Sequence, residues 1–210
     1  MSNFNQNAEW RYATKKFDAT KKVSDQDLET LKKAISLTAT SYGLEPYKIL
    51  IVENPETRQK LQAASWNQSQ VTEASHLLVF ANIVNFGNEQ MDTYFDNLTK
   101  TRQIPTEAVQ GYSDFMKSNI NAKSSEDKNI WTAKQAYLAM NNLINACAEL
   151  KIDATPMEGF SPEQYNQILE LDKLGLNAVL VTPIGYRSTE DQTQFAAKVR
   201  KPYSELFINL

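Results

Sequence analysis

DKNIWTAKQAYLAMNNLINACAEL, residues 127–150, carries the longest helical pattern in the chain. Apolar or small side chains recur around most of its circumference, which predicts a helix from about Glu126 to Leu150 that is buried nearly all round. At ~1.5 Å per residue it would span roughly 35 Å, enough to cross a small domain or line an interface between two copies of the chain. Such a helix needs an apolar partner, and the flanking sequence supplies a sheet. YKILIV (47–52), SHLLVFANIV (75–84) and NAVLVTPIGY (177–186) are short, continuously apolar runs, the pattern of strands covered on both faces. IDATPMEGF (152–160) reads as a shorter strand ending in a turn.

Capping signals place further helices between these runs. Ser24 to Asp27 forms an [ST]xx[DE] box opening on Leu28, Leu31, Ala34 and Ile35, and that helix fades near residues 38–43. Asn54 as N-cap and Pro55 at the first helical position open a second helix, predicted to reach about Val71. Ser161 and Pro162 open another, which Gly175 stops. Residues 85–126 are polar, punctuated by Gly87, Pro105 and Gly111, and read as one or two amphipathic helices outside the core sheet. Helices interleaved with a few buried strands give an α+β fold, expected as a single domain over 1–210 with the helical excursion at about 85–126.

Composition narrows the function classes. The net charge of −3 gives no reason to expect a nucleic-acid or anionic-membrane partner. No run approaches the ~20 apolar residues of a transmembrane helix, and the opening MSNFNQNAEWRYATKKFD lacks the apolar core of a signal peptide. A cytoplasmic location is the expectation. Cys147 is the single cysteine, so no internal disulfide or cysteine-based zinc cluster can form, and it reads as inert core. His76, the single histidine, lies in an apolar run and is expected to be buried and structural. The six glycines fall in neither GxGxxG nor GxxxxGK[ST] spacing, so a Rossmann fingerprint and a P-loop are both missing.

Two basic clusters remain: Arg11, Lys15 and Lys16 before the first capped helix, and Lys198, Arg200 and Lys201 near the end. A phosphate monoester suits them, since Arg forks meet it bidentately and Lys as a point charge. Spacing alone leaves solvated surface charge as the simpler reading.

The segments in order add what spacing lacks. RYATKKFD (11–18) resembles the R-x-S-x-K/R-x-F/Y opening of the nitroreductase family, and AKVRK (197–201) its C-terminal Lys-x-Arg. TATSYGLEPYKI (38–49), Asn67 in SWNQSQ, EASHLLVFA, WTAKQAYLAMNNL, DATPMEGF and VLVTPIGYRSTED follow in family order. The resemblance covers essentially the whole chain and is closest to the oxygen-insensitive NAD(P)H nitroreductase and dihydropteridine reductase branch. It implies a central, mostly antiparallel sheet flanked by helices, and a homodimer with one FMN per site at the subunit interface. It implies FMN held by Arg11, Tyr12, Ala13, Lys198 and Arg200 at its phosphate end. Lys15, Asn67 and Gln70 would meet the pyrimidine edge, and Thr40, Ser41 and Gly43 would come from the neighbouring subunit. Pro156, Met157, Glu158 and Gly159 would lie against the ring, the backbone of Glu158 and Gly159 nearest N5. No catalytic side chain and no metal are expected; Tyr112 and Phe115 would border the acceptor pocket. NADH or NADPH would donate, and nitroaromatics, quinones or related small molecules would accept, in ping-pong order. The alternatives are a dihydropteridine or enone acceptor, or a flavin-binding protein with little turnover.

Departures from the family pattern carry expectations of their own. Ala13 stands where Ser is usual, and Gly43, Glu45 and Tyr47 replace Asn, Gln and Trp. Gln70 stands where close relatives often have Lys, and a neutral group there should stabilise the charge of a reduced flavin less.

Overall fold

The structure, a computed structural model, describes residues 3–210. Helix α1 (Asn3–Trp10) precedes α2 (Asp25–Ser36), strand β1 (Tyr47–Val52), α3 (Pro55–Ala63), the single turn α4 (Gln70–Glu73) and β2 (His76–Ile83). Then come α5 (Asn88–Arg102), α6 (Gln110–Asn121), α7 (Ser125–Glu149), β3 (Asp153–Ala154), α8 (Pro162–Ile168), β4 (Leu176–Gly185) and the short α9 (Tyr203–Leu206). The strands form one sheet in the order β1-β2-β4-β3, with every pairing antiparallel.

The continuous apolar runs arise because both sheet faces are covered. Along β2, Leu78 and Phe80 face a core built with Leu31 and Ile35 of α2 and Ala139 and Leu143 of α7. The alternate residues Leu77, Val79 and Ala81 face a second core with Leu61 of α3, Tyr165 of α8 and Val181. Period-2 alternation is therefore silent in the sequence, since neither face needs polar residues. The excursion has its own apolar cluster, in which Met91, Phe95, Met116 and Ile120 surround Phe86.

The predicted caps form. Ser24 Oγ accepts from Asp27 N at 3.1 Å, Asn54 Oδ1 from Thr57 N at 2.8 Å, and Ser161 Oγ from Gln164 N at 3.2 Å. Other expectations need correction. The helix from Asn54 stops at Ala63, not Val71, because Trp66 and Asn67 adopt left-handed φ values of 54° and 59° and turn the chain. The helix after Ser161 ends at Ile168, and a 3₁₀ turn (Leu171–Leu174) precedes left-handed Gly175. IDATPMEGF contributes only Asp153–Ala154 as strand, plus an isolated bridge from Met157 to Val181, since Pro156 has no N–H to donate. Helix α7 is not buried all round: Ile130 (47% exposed), Lys134, Leu138 (45%) and Asn141 form an exposed stripe opposite its core face. His76 is half-buried rather than buried. Its Nδ1 lies 3.0 Å from Ser75 Oγ and its Nε2 4.0 Å from Glu53, beside a cavity lined also by Arg58. Cys147 is fully buried as expected, and burial pushes its thiol far up.

Candidate functional site

The segment after α1 is pinned at fixed points. Ala13 bridges Ala154 of β3 in parallel, and Phe17 bridges Arg187 just beyond β4. Asp191, buried, collects the rest: its Oδ2 accepts from Tyr12 Oη (2.9 Å), Lys15 N (2.8 Å) and Lys16 N (3.2 Å), and its Oδ1 from Thr193 N (3.0 Å). Burial opposes ionisation of Asp191, but the donors from Lys15, Tyr12 and Lys16 outweigh it and hold its carboxyl below the usual range. A second buried carboxylate, Asp153, pairs with Arg187 Nη2 at 2.6 Å. The Arg187 guanidinium is also sandwiched, 4.3 Å from the Trp10 ring centroid and 4.5 Å from that of Tyr12.

This scaffold brings three cations together. Lys198 Nζ donates to the carbonyls of Ala8 and Arg11, which draws the C-terminal segment back across the start of the chain. Arg11 and Arg200 line one enclosed cavity of about 140 Å³ with Tyr12, Ala13, Ile144 and Pro156. Burial lowers the Arg11 guanidinium from its ordinary value, and the nearby Arg200 charge lowers it further. Lys198 is lowered in the same way, by partial burial and then by the charges of Arg11 and Arg200. Among the described residues, none of the three is in a salt bridge with a carboxylate, and Arg11 Nε is buried without a hydrogen-bond partner. Converging like charges with a desolvated, unused donor make a binding place for an anion.

Pro156 joins this cavity to the 156–160 turn. Met157 pairs with Val181 (N to O 2.8 Å, O to N 3.0 Å), Phe160 N donates to Glu158 O (2.9 Å), and Gln68 Nε2 donates to Gly159 O (2.7 Å). The N–H groups of Glu158 and Gly159 meet no acceptor among the described residues. The turn thus shows two adjacent free donors. A Cβ on Gly159 would sit 2.9 Å from the Trp66 ring and 3.0 Å from Gln68 Nε2, so a larger residue here would push one of those side chains aside. Trp66 itself is 73% exposed, an unusual place for a tryptophan, held there by its left-handed backbone.

The structure gathers Arg11, Tyr12, Ala13, Pro156 and Arg200 around one cavity, with Lys198 on the Arg11 carbonyl; Met157, Glu158 and Gly159 follow on the adjoining turn. Lys15 is exposed with its N–H fixed by Asp191, Asn67 is exposed beside Trp66, and Gln70 is buried in α4. Thr40, Ser41 and Gly43 lie elsewhere in the protomer, where Ser41 N donates to Gln135 Oε1 of α7 at 2.8 Å and Gly43 packs near Tyr94. Tyr112 joins an aromatic cluster with Tyr42 and Phe95, and Phe115 is exposed on the same helix. Sequence reasoning missed Trp66, Gln68, Tyr137, Asp153, Arg187 and Asp191. Asp191 caps the 3₁₀ turn at Gln192–Phe195, but its main partners lie 175 to 179 positions away. All six fall inside the family-ordered segments SWNQSQ, WTAKQAYLAMNNL, DATPMEGF and VLVTPIGYRSTED, but nothing local singles them out.

Comparison with known proteins identifies the family. Residues 8–186 match the model of the Nitroreductase family. The chain belongs to the nitroreductase family. A Bacillus subtilis relative that carries a provisional NAD(P)H nitroreductase name, YfkO, is 34% identical over 85% of this chain and 86% of its own length. The Major NAD(P)H-flavin oxidoreductase of Aliivibrio fischeri is 30% identical, covering 93% of both chains. A solved nitroreductase-type structure from Exiguobacterium sibiricum, described as a complex with FMN, superposes with a TM-score of 0.85 over 100% of this chain and 98% of the other. At 16% identity that likeness shows the nitroreductase fold alone. No helix among the described residues of this nitroreductase-family chain is long and apolar enough to cross a membrane.

Proposed function

We propose that this chain is an FMN-dependent oxidoreductase that accepts electrons from NADH or NADPH and delivers them to nitroaromatics, quinones or related electron-poor acceptors. The observation that carries this reading is the Arg11–Lys198–Arg200 cluster, with Arg11 Nε buried and unpartnered. A phosphate monoester supplies the counter-charge the cluster lacks and three acceptor oxygens for its donors. Arg11 and Arg200 would grip that phosphate from two sides, with Tyr12 and Ala13 as the wall between them. Lys15, its backbone fixed by Asp191, would reach the pyrimidine edge, where its charge favours the reduced ring. The free N–H groups of Glu158 and Gly159 would orient the ring through N5.

Bound FMN supplies hydride transfer, which no side chain of this site can perform. The chain therefore contributes position and electrostatics, and no general base is required. Trp66 borders the turn at Gly159. One open approach serving donor and acceptor in turn gives a ping-pong order, and explains why no dinucleotide fingerprint is present.

We further propose a homodimer. The apolar tail (Val199, Tyr203, Leu206, Phe207 and Ile208) exposes a run of large apolar side chains, and Ile130 and Leu138 of α7 are exposed as well, surface that a second copy would cover. Thr40, Ser41 and Gly43, which do not line the cradle of their own protomer, would then serve the neighbour's site. A cytoplasmic setting, where NAD(P)H is available, suits the donor. Purified protein reconstituted with FMN should be yellow and should bleach anaerobically with NADH or NADPH, recovering its colour on addition of a quinone. A protein that cannot be reconstituted with FMN, or stays yellow with both donors, contradicts the reading.

A further inference from the structure

We propose that Tyr137 is the positioning residue for the hydride-facing turn, acting through the Glu158 side chain; this inference rests on the flavin reading above. Tyr137 sits on α7 between Ala136 and Ala139, both fully buried, so it stands on a rigid post in the main core. Its hydroxyl donates to Glu158 Oε1 at 2.5 Å, the length of a charge-assisted O–H···O⁻ bond. Burial first, and then the bond to Glu158, push the Tyr137 phenol up to about 12, so it remains a proton donor throughout the working range.

The other restraints on the turn hold its ends and carbonyls. Val181 fixes Met157, Gln68 fixes the Gly159 carbonyl, and Ala64 O accepts from Ser161 N at 2.9 Å. None of them controls where the Glu158 carboxylate lies. That control matters because the N–H groups of Glu158 and Gly159 are free donors directly beside it. An untethered carboxylate would be their nearest strong acceptor, and capture by it would withdraw them from a ligand. Gly159 adds no side chain to oppose such a collapse. By holding Glu158 against α7, Tyr137 keeps both donors aimed outward. Its ring packs against the main core, and its hydroxyl gives it a second task.

Tyr137→Phe removes only the hydroxyl and tests this directly. In the FMN-loaded protein we expect bleaching by saturating NADH or NADPH to slow about tenfold, with a midpoint potential shifted from wild type. The phosphate cradle is untouched, so the melting temperature and the affinity for inorganic phosphate should stay near wild type, while FMN, deprived of the two ring donors, should bind less tightly. In flavin-free protein, hydrogen exchange at the Glu158 and Gly159 amides should change, because their surroundings are rearranged. The double variant Tyr137→Phe/Glu158→Ala should be no slower than the slower of its two single variants, since both act through one contact. Wild-type bleaching and potential in Tyr137→Phe, or effects that multiply in the double variant, would overturn the proposal. The exchange measurement needs no flavin: unchanged amides there defeat the latch itself, whereas wild-type protein that fails to bind FMN defeats the proposed function and with it the latch's purpose.

Discussion

At the scale of single residues, the site depends on groups whose partners are few and specific. Gly159 is the clearest case. Its missing Cβ leaves room for the Trp66 ring and Gln68 Nε2, which an added Cβ would meet at 2.9 and 3.0 Å, so the exposed Trp66 ring would have to swing away and the Gln68 bond to the Gly159 carbonyl would be disturbed. Gly159→Ala should therefore displace Trp66, seen as a shifted tryptophan emission maximum, and weaken FMN binding about tenfold or more, a loss of ~1.4 kcal/mol. Asp191 makes a different prediction. Its carboxylate accepts four hydrogen bonds, three from the cradle segment, and an amide cannot match them because its NH₂ would face a donor. Its folded pKa lies below the unfolded one, so its stabilisation is complete above the ordinary carboxylate pKa of about 3.9 and is lost as pH falls through the folded value. Melting temperatures of wild type and Asp191→Asn should thus differ at neutral pH and converge in acid; a gap independent of pH would refute this role. Arg11 and Arg200 were legible in the sequence only through the ordered family motifs, since a basic cluster alone reads as solvated surface. Asp191 and Tyr137 were not legible, because an acid at a turn and a tyrosine on a core helix look ordinary until residues far along the chain are folded against them.

Among the elements, what the sequence revealed was what local chemistry controls. Ser24, Asn54 and Ser161 open their helices through side-chain bonds spanning three residues, so the signal and its cause are adjacent. The long apolar runs gave three strands because covering both faces of the sheet leaves no alternative composition. Helix ends were less visible. In QAASWNQSQ only Asn67 is of a type that readily takes left-handed backbone, and nothing announces it at Trp66. The strand predicted across 152–160 is interrupted for a reason present in the sequence, Pro156, whose consequence depends on the β4 register. The α7 stripe is the element-scale prediction. Ile130 and Leu138 face away from the core, and burying them against a second copy explains a helix that is apolar on more than one side. Leu138→Glu should convert a dimer into a monomer in sedimentation velocity while leaving far-ultraviolet circular dichroism unchanged. A wild-type chain that sediments as a monomer would contradict the dimer.

Over the whole molecule, the fold serves to bring two distant ends of the chain to one place. Arg11 leaves α1 and Lys198 returns past β4 to its carbonyl, and the sheet between them sets β3 and the 156–160 turn beside the cavity that Arg11 shares with Arg200. The cations at that cavity are mutually unfavourable until an anion arrives, and the adjoining turn presents donors that the protein itself does not use. A ligand with a phosphate at one end and a hydrogen-bonding ring at the other satisfies both. Comparing FMN with riboflavin isolates the phosphate, because the two differ in nothing else. Fluorescence titration at fixed ionic strength should show wild type binding FMN far more tightly than riboflavin, and Arg11→Ala or Arg200→Ala should collapse that ratio by weakening FMN alone. Equal affinity of the wild type for both flavins, or a ratio that survives loss of either arginine, would contradict the cradle and the function built on it.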